Sequence, residues 1–202
     1  GYGYQFWRCR HGAFRGDGAF GQYCVVLPQE EAVLAITAET TNMQAVLNAA
    51  WTHLLPALQG QGDLSSRAGE RLRARLADLS LPLPEGHTAP PASFPRGNSR
   101  YRIEANSLGV TEARLQLDGH RCTLTLRDAD GEHRVTCGLG RWLRGETTAP
   151  TAPLHLATTG LPGGRRTQVA GAAAFSDDQT LTMLWRFVET AHYQRVTCRL
   201  DG

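Results

Sequence analysis

Lysine is absent from this chain. All 21 basic residues among its 202 are arginine. That excludes every mechanism resting on a lysine amine within these residues: a Schiff base, a P-loop lysine and a Ser-x-x-Lys nucleophile pair alike. Long apolar runs are missing too. None approaches the length of a membrane span, and the first residues carry no signal-peptide anatomy. No Cys-x-x-Cys occurs, since the five cysteines stand at positions 9, 24, 122, 137 and 198, which removes the zinc and thioredoxin-like motifs. An odd number argues against a completed disulfide framework and favours a reducing, cytoplasmic compartment. Small buried thiols on strands are the simplest reading, with Cys122, Cys137 and Cys198 able to pair if their strands align. A net charge of +2 gives no argument for nucleic acid or a membrane surface as partner.

What is present is a folding sequence, 41% hydrophobic and 20% charged. Five of the ten prolines fall between Leu81 and Asn98, LPLPEGHTAPPASFPRGN. Such composition predicts an extended linker over 81–99 between a first region, 1–80, and a second, 100–202. The first region reads as strands at Tyr2–Arg8, Phe20–Leu27 and Ala32–Thr37, followed by two helices. Thr41-Asn42 offers an N-cap, and Met43, Val46, Leu47, Ala50, Leu54, Leu55 and Leu58 follow at helical spacing, with Pro56 kinking or ending the helix. A second helix over Ser66–Leu79 carries Leu72, Leu76 and Leu79 on one stripe.

After the linker the period changes to two. Ala113, Leu115 and Leu117, then Cys122, Leu124 and Leu126, alternate with polar residues, and Asp118-Gly119 and Asp130-Gly131 mark turns. With strands at 132–137, 141–146, 168–175, 181–188 and 193–200, this predicts an antiparallel meander forming a small barrel or sandwich. The opening Gly1-Tyr2-Gly3-Tyr4 runs straight into a strand and Asp201-Gly202 is a turn signal. Both suggest a protein that continues beyond these residues.

Phe14 to Pro28, FRGDGAFGQYCVVLP, is the stretch richest in chemical possibility. Gly16, Gly18 and Gly21 stand just before and inside a strand, which they weaken. They mark either a bulge or tight hairpin, or a strand edge that lines a substrate site and offers a backbone N–H to an oxyanion. His120 and His133 flank hairpin turns without a third ligand at metal spacing, so no metal is expected, and no cofactor motif occurs. No Ser/His/Asp triad can be assembled from the pattern alone.

The blocks GYGYQFW, FRGDGAFGQYCVVLP, AVLAIT and NMQAVLNAAWTHLLPAL, spanning residues 1 to about 60, resemble the C-terminal part of β-lactamase-related serine hydrolases, the superfamily of class C β-lactamases and penicillin-binding proteins. The resemblance implies an α+β chain: the end of a β-lactamase-like α/β catalytic domain, its antiparallel strands and terminal helices, followed by a small all-β antiparallel extension of the kind seen in some bacterial members. It implies hydrolysis of an ester, amide or D-amino-acid peptide through an acyl-serine intermediate, without a cofactor, and a periplasmic location becomes compatible as well. In the family a Lys/His-x-Gly motif on the site strand precedes a backbone N–H of the oxyanion hole. That motif falls on Gly16-Asp17-Gly18, with Ala19 as the oxyanion donor. The first position lacks the family's cation, which points away from β-lactams and toward neutral esters or amides. His11 or Arg15 is a candidate replacement. Neither Ser-x-x-Lys nor Tyr-x-Asn occurs, so the chain is expected to carry one wall of a site and to depend on the missing N-terminal half of the catalytic domain. The competing reading is a non-catalytic binding or structural module, its β-rich part holding an apolar ligand or capping a neighbour.

Overall fold

The computed structural model describes residues 1–61, 65–150 and 166–200, and the chain divides into two compact units, residues 1–80 and 81–202. The Asp201-Gly202 turn signal lies outside the described residues.

The first unit is a five-stranded antiparallel sheet in the order β1 (Tyr2–Gly3), β2 (Phe6–Arg8), β3 (Phe14–Gly18), β4 (Gln22–Leu27) and β5 (Ala32–Ile36). The stretch expected as one strand at Tyr2–Arg8 is a hairpin instead, because Tyr4 and Gln5 take φ of 51° and 69° and turn the chain back. Side chains alternate across the sheet. Tyr23, Val25 and Leu27 of β4 are buried with Ala13, Leu47 and Leu55 in one apolar cluster. The opposite face carries Phe6, Phe14, Cys24, Val26, Val33 and Ala35, of which Val33 is 66% exposed.

Helix α1 (Met43–Ala49) is capped by Asn42, whose side chain accepts from the Ala45 N–H. It does not end before Pro56. The chain continues through a π-helical turn at Ala50–Leu54, where the Leu55 N–H reaches the Ala50 carbonyl, five residues back, and through Ala57–Gln61, which kinks at Gly60 with φ of 80°. Proline has no N–H to give to the helical ladder, and the wider turn before it accommodates it. Helix α2 (Ser66–Ala77) forms as its spacing predicts and is capped by Ser65, yet Leu72 and Leu76 of its apolar stripe are 59% and 56% exposed.

The second unit is an eight-stranded sheet. Its strands are β6 (Gly97–Arg102), β7 (Glu112–Asp118), β8 (Arg121–Asp128), β9 (Gly131–Leu139), β10 (Leu143–Thr147), β11 (Thr167–Phe175), β12 (Thr180–Phe187) and β13 (Tyr193–Arg199). They run β13-β12-β11-β9-β8-β7-β6, with β10 on β11. Pairing is antiparallel except where Ala172 and Ala173 of β11 meet Gly138 and Leu139 of β9 in parallel, so the sheet is mixed rather than a pure meander. Leu115, Cys122, Leu124, Val135, Cys137, Met183 and Trp185 share one core, with Leu126 and Cys198 packed against it. A single face from β7 to β13 thus rolls onto itself. That interior is filled by side chains, Trp185 being 2% exposed.

The proline-rich segment belongs to the second unit rather than spacing two domains. His87 and Phe175 exchange backbone hydrogen bonds of 2.8 and 2.9 Å, Phe94 is 1% exposed within the core, and the Trp142 indole donates to the Leu81 carbonyl.

The expected fold class is overturned. Strand accounts for 46% and helix for 18% of the chain, in two sheets. The chain is therefore mostly β and not an α+β end of a β-lactamase-like α/β domain. Two short helices cannot supply a helical layer on both faces of a sheet: α1 covers one face of the first sheet, and the apolar stripe of α2 is exposed. Among the described residues, no helix is long and apolar enough to cross a membrane.

Candidate functional site

Strand β3 carries the sequence-predicted site residues, and its pairing decides what each can do. On one side it pairs with β4 along its whole length, from Phe14↔Val26 to Gly18↔Gln22. On the other, β2 reaches only Trp7↔Arg15 before the Tyr4-Gln5 turn removes it. In an antiparallel ladder the N–H and C=O groups of successive residues point alternately to the two neighbours. Cys9 donates to Ala13 and Arg8 to Gly1, so the odd-numbered residues of β3 address β2. The N–H and C=O of Asp17 therefore point to an edge where, among the described residues, no strand follows. Ala19, the expected oxyanion donor, lies just past the end of the strand. It begins a turn in which Phe20 and Gly21 take φ of 66° and 88°.

Gly21 and Gly16 differ in kind. Gly21 is required by its turn: its φ is left-handed and an added Cβ would lie 3.0 Å from Thr40. Gly16 is demanded by nothing within the chain, since an added Cβ would meet only the Phe6 ring, at 3.9 Å. The bulge reading thus fails for Gly16, which sits in a regular ladder.

Arg15 and Asp17, two apart on one strand face, form an ion pair of 3.1 Å. The Arg15 guanidinium also donates to Cys9 Sγ at 3.1 Å and lies 6.0 Å from the Trp7 ring centre and 5.9 Å from that of Tyr23. Burial opposes its charge, but the Cys9 sulfur and the Asp17 carboxylate outweigh that and hold the guanidinium charged more firmly than usual. Tyr23, whose hydroxyl donates to the Met43 carbonyl, has its pKa raised, chiefly by burial. The cluster fixes a cation beside the open edge of β3.

His11, the other candidate cation, is placed elsewhere. It sits in the turn between β2 and β3 with φ of 59°, its ring 5.5 Å from that of Trp51. Four residues of strand separate Ala13 from Asp17, roughly 13 Å. The structure therefore pairs Arg15 with Asp17 and leaves His11 at the far end of the strand.

A second constellation escaped the sequence pattern. His133, 6% exposed, sits between Asp128 and Thr148, with Nε2 2.9 Å from Asp128 Oδ2 and Nδ1 2.9 Å from Thr148 Oγ1. The order acid–imidazole–hydroxyl is that of a nucleophile triad, but the protons run otherwise. Thr148 Oγ1 donates to the Glu132 carbonyl, so it accepts from the imidazole rather than giving up its proton to it. The other Asp128 oxygen accepts from the N–H groups of Asp130 and Gly131. This is a clamp on the β8–β9 hairpin. Its only legible sign was Asp-x-x-Gly at a turn; the contact with Thr148 depends on the fold. Among the described residues no three His, Cys, Asp or Glu side chains gather as a metal site.

No family model matches the chain, and no curated protein or solved structure does either.

Proposed function

We propose that this chain forms one wall of an acyl-transfer site in a serine hydrolase related to the β-lactamase superfamily, with an ester, amide or D-amino-acid peptide as substrate. The serine and its base would come from a segment outside these 202 residues. The observation that carries the reading is the open edge of β3, where, among the described residues, no strand pairs with Asp17 on the side away from β4 and Ala19 follows at the strand's end. An attacking serine oxygen adds to the substrate carbonyl, and the carbonyl oxygen takes up the negative charge. Donors already in place at such an oxygen lower the barrier by about 3 kcal/mol each. Collapse of that intermediate expels the alcohol or amine, and water then releases the acid from the serine.

Two further features support the reading. Gly16 and Gly18 add no side chain of their own beside that edge; a Cβ there would meet the Phe6 ring at 3.9 Å and the Gln22 side chain at 3.3 Å. Arg15 and Asp17 place an ion pair on the strand face beside that edge. The exposed apolar face of the same sheet, with Phe6 and Val33, supplies a surface for the rest of a catalytic domain to cover. What is taken from the resemblance is this chemistry; the fold is the mostly β one described above.

A fluorophosphonate probe applied to the full-length gene product tests this. One serine outside residues 1–202 is expected to label. Ala19→Pro, which deletes the N–H, should slow labelling about a hundredfold, while Ala19→Gly, which keeps it, should not. Absence of any labelled serine, or labelling of one of the seven serines of this chain, overturns the proposal.

A further inference from the structure

The outer face of β12 presents an unexpected combination of burial and charge. Leu181, Met183, Trp185 and Phe187 point into the core, so Thr182, Leu184 and Arg186 point away from it. Thr182 and Leu184 are nevertheless only 6% exposed. A cleft of about 620 Å³ lies on this face, with the extended Pro82–Gly86 stretch as its opposite wall. The wall is fixed in place. His87 and Phe175 exchange two backbone hydrogen bonds, and Gly86, at φ of 136°, passes so close that an added Cβ would lie 2.2 Å from the Phe175 carbonyl oxygen. Pro84 is buried. Prolines without N–H groups and a clamped end leave little entropy to lose when a ligand enters.

The lining sorts into two chemistries. Leu83, Pro84 and Leu184 offer apolar surface. Arg186 and Arg195 come from neighbouring strands, where Leu184 pairs with Arg195 and Arg186 with Tyr193, so both guanidiniums stand on the same face. Arg186 lies 4.9 Å above the Tyr193 ring, which orients its planar fork. Ser176 and Thr182, whose hydroxyls are 3.0 Å apart, add donors at the cleft's other end. Among the described residues that line the cleft, one carboxylate, Glu85, stands against two guanidiniums. The size falls in the range of small-molecule pockets.

We propose that this cleft binds a small carboxylate with an apolar body, its oxyanion on Arg186 and Arg195 and its hydrocarbon part between Leu83 and Leu184. A guanidinium pairs a carboxylate through two parallel hydrogen bonds, and the apolar wall adds what a bare ion cannot use.

The test is a heteronuclear NMR titration of the whole 202-residue chain with N-acetyl-L-leucine, N-acetyl-L-leucinamide and inorganic phosphate. The carboxylate is expected to shift the Leu184, Arg186, Tyr193 and Arg195 amides in a saturable way below about 10 mM. Its amide should bind about tenfold more weakly or not at all, because it lacks the charge. Arg195→Gln, on an exposed residue whose loss leaves the core intact, should weaken the carboxylate about tenfold, and Arg195→Lys should restore part of the loss. Equal shifts from carboxylate and amide, or no saturable shift at cleft residues, overturn the proposal. Phosphate binding as tightly as N-acetyl-L-leucine overturns the apolar half of it.

Discussion

The imidazole of His133 stands 2.9 Å from the Asp128 carboxylate, with both side chains mostly buried at one end of the rolled sheet. Burial alone would raise the Asp128 pKa. The hydrogen bonds from His133 and from the Asp130 and Gly131 N–H groups prevail and hold it below the ordinary carboxylate range. A carboxyl group whose folded pKa is depressed stabilises the fold above its unfolded value, near 3.9, and that stabilisation is lost as pH falls through the folded value. Thermal unfolding of the chain between pH 6 and 2 should therefore show an acid limb that begins below about pH 4. In Asp128→Asn that limb should be shallower, and stability at neutral pH lower by roughly 1–3 kcal/mol, because a buried imidazole loses its charged partner. An unchanged limb would mean that the pair carries none of the acid sensitivity.

The cysteines follow the same geometry. Cys122 and Cys137 are register partners on β8 and β9, both fully buried and both free thiols. The alignment that would let them pair is there; the bond is not. The hydrogen bond to Cys137, together with burial, pushes the Cys122 thiol far above its usual range, and burial pushes Cys198 up to about 11. Thiolates react and thiols do not. With a disulfide reagent at pH 8, the exposed Cys24 should react first. Cys122 and Cys137 should react only at the rate of unfolding, so that denaturant releases them together. Fast modification of Cys122 in the native chain would contradict the packing described.

Gly86 gives a sharper test of the proline wall. Any side chain there meets the Phe175 backbone, and φ of 136° is a conformation L-residues avoid. Gly86→Ala should cost about 1–3 kcal/mol of stability. It should also loosen the His87–Phe175 hydrogen bonds, so hydrogen exchange at those two amides should speed up more than at the Met183 amide in the core. Uniform acceleration would mean that the wall and the sheet unfold as one.

How much of this could be read from residues alone follows from how local each signal was. Leu115 and Leu117, Cys122 and Leu124, and the Asp-Gly turns between them, declare two strands and their inward faces within a dozen residues, and all turn inward as their alternation predicts. Helix α2 was equally plain. The Tyr4-Gln5 turn was not, because aromatic and amide residues carry no turn signal and take left-handed φ there only under the pairing of β1 with β2. Strand β6, reading GNSRYR, has no apolar alternation and is held by backbone pairing to β7. The parallel contact of β9 with β11 joins residues 34 apart, Gly138 and Ala172, and no local pattern encodes it. In the candidate site, the glycines of β3 were conspicuous in the sequence. Which of their neighbours points an N–H outward depended on where β2 stops.

The final prediction concerns the bare side of the first sheet. Among the described residues strand β5 is the last in its sheet, so one row of its N–H and C=O groups has no strand partner there, and Val33 upon it is 66% exposed. The adjoining face adds Phe6, at 42%, and the exposed Cys24. An apolar strand with an open edge is a template for another strand, and natural sheets block such edges with charge or proline. Ala32–Ile36, reading AVLAI, contains neither. The 202-residue chain alone should therefore self-associate with rising concentration, measurable by sedimentation velocity, at low and moderate salt alike, since the driving surface is apolar. Val33→Lys should suppress association without loss of folded signal, because the side chain already lies in solvent. Val25→Lys, on the buried face of the neighbouring strand, should instead unfold the unit by stranding a charge in its core. A wild-type chain that stays monomeric across the accessible concentration range would mean that this edge needs no cover, and would remove one support for the proposed acyl-transfer site.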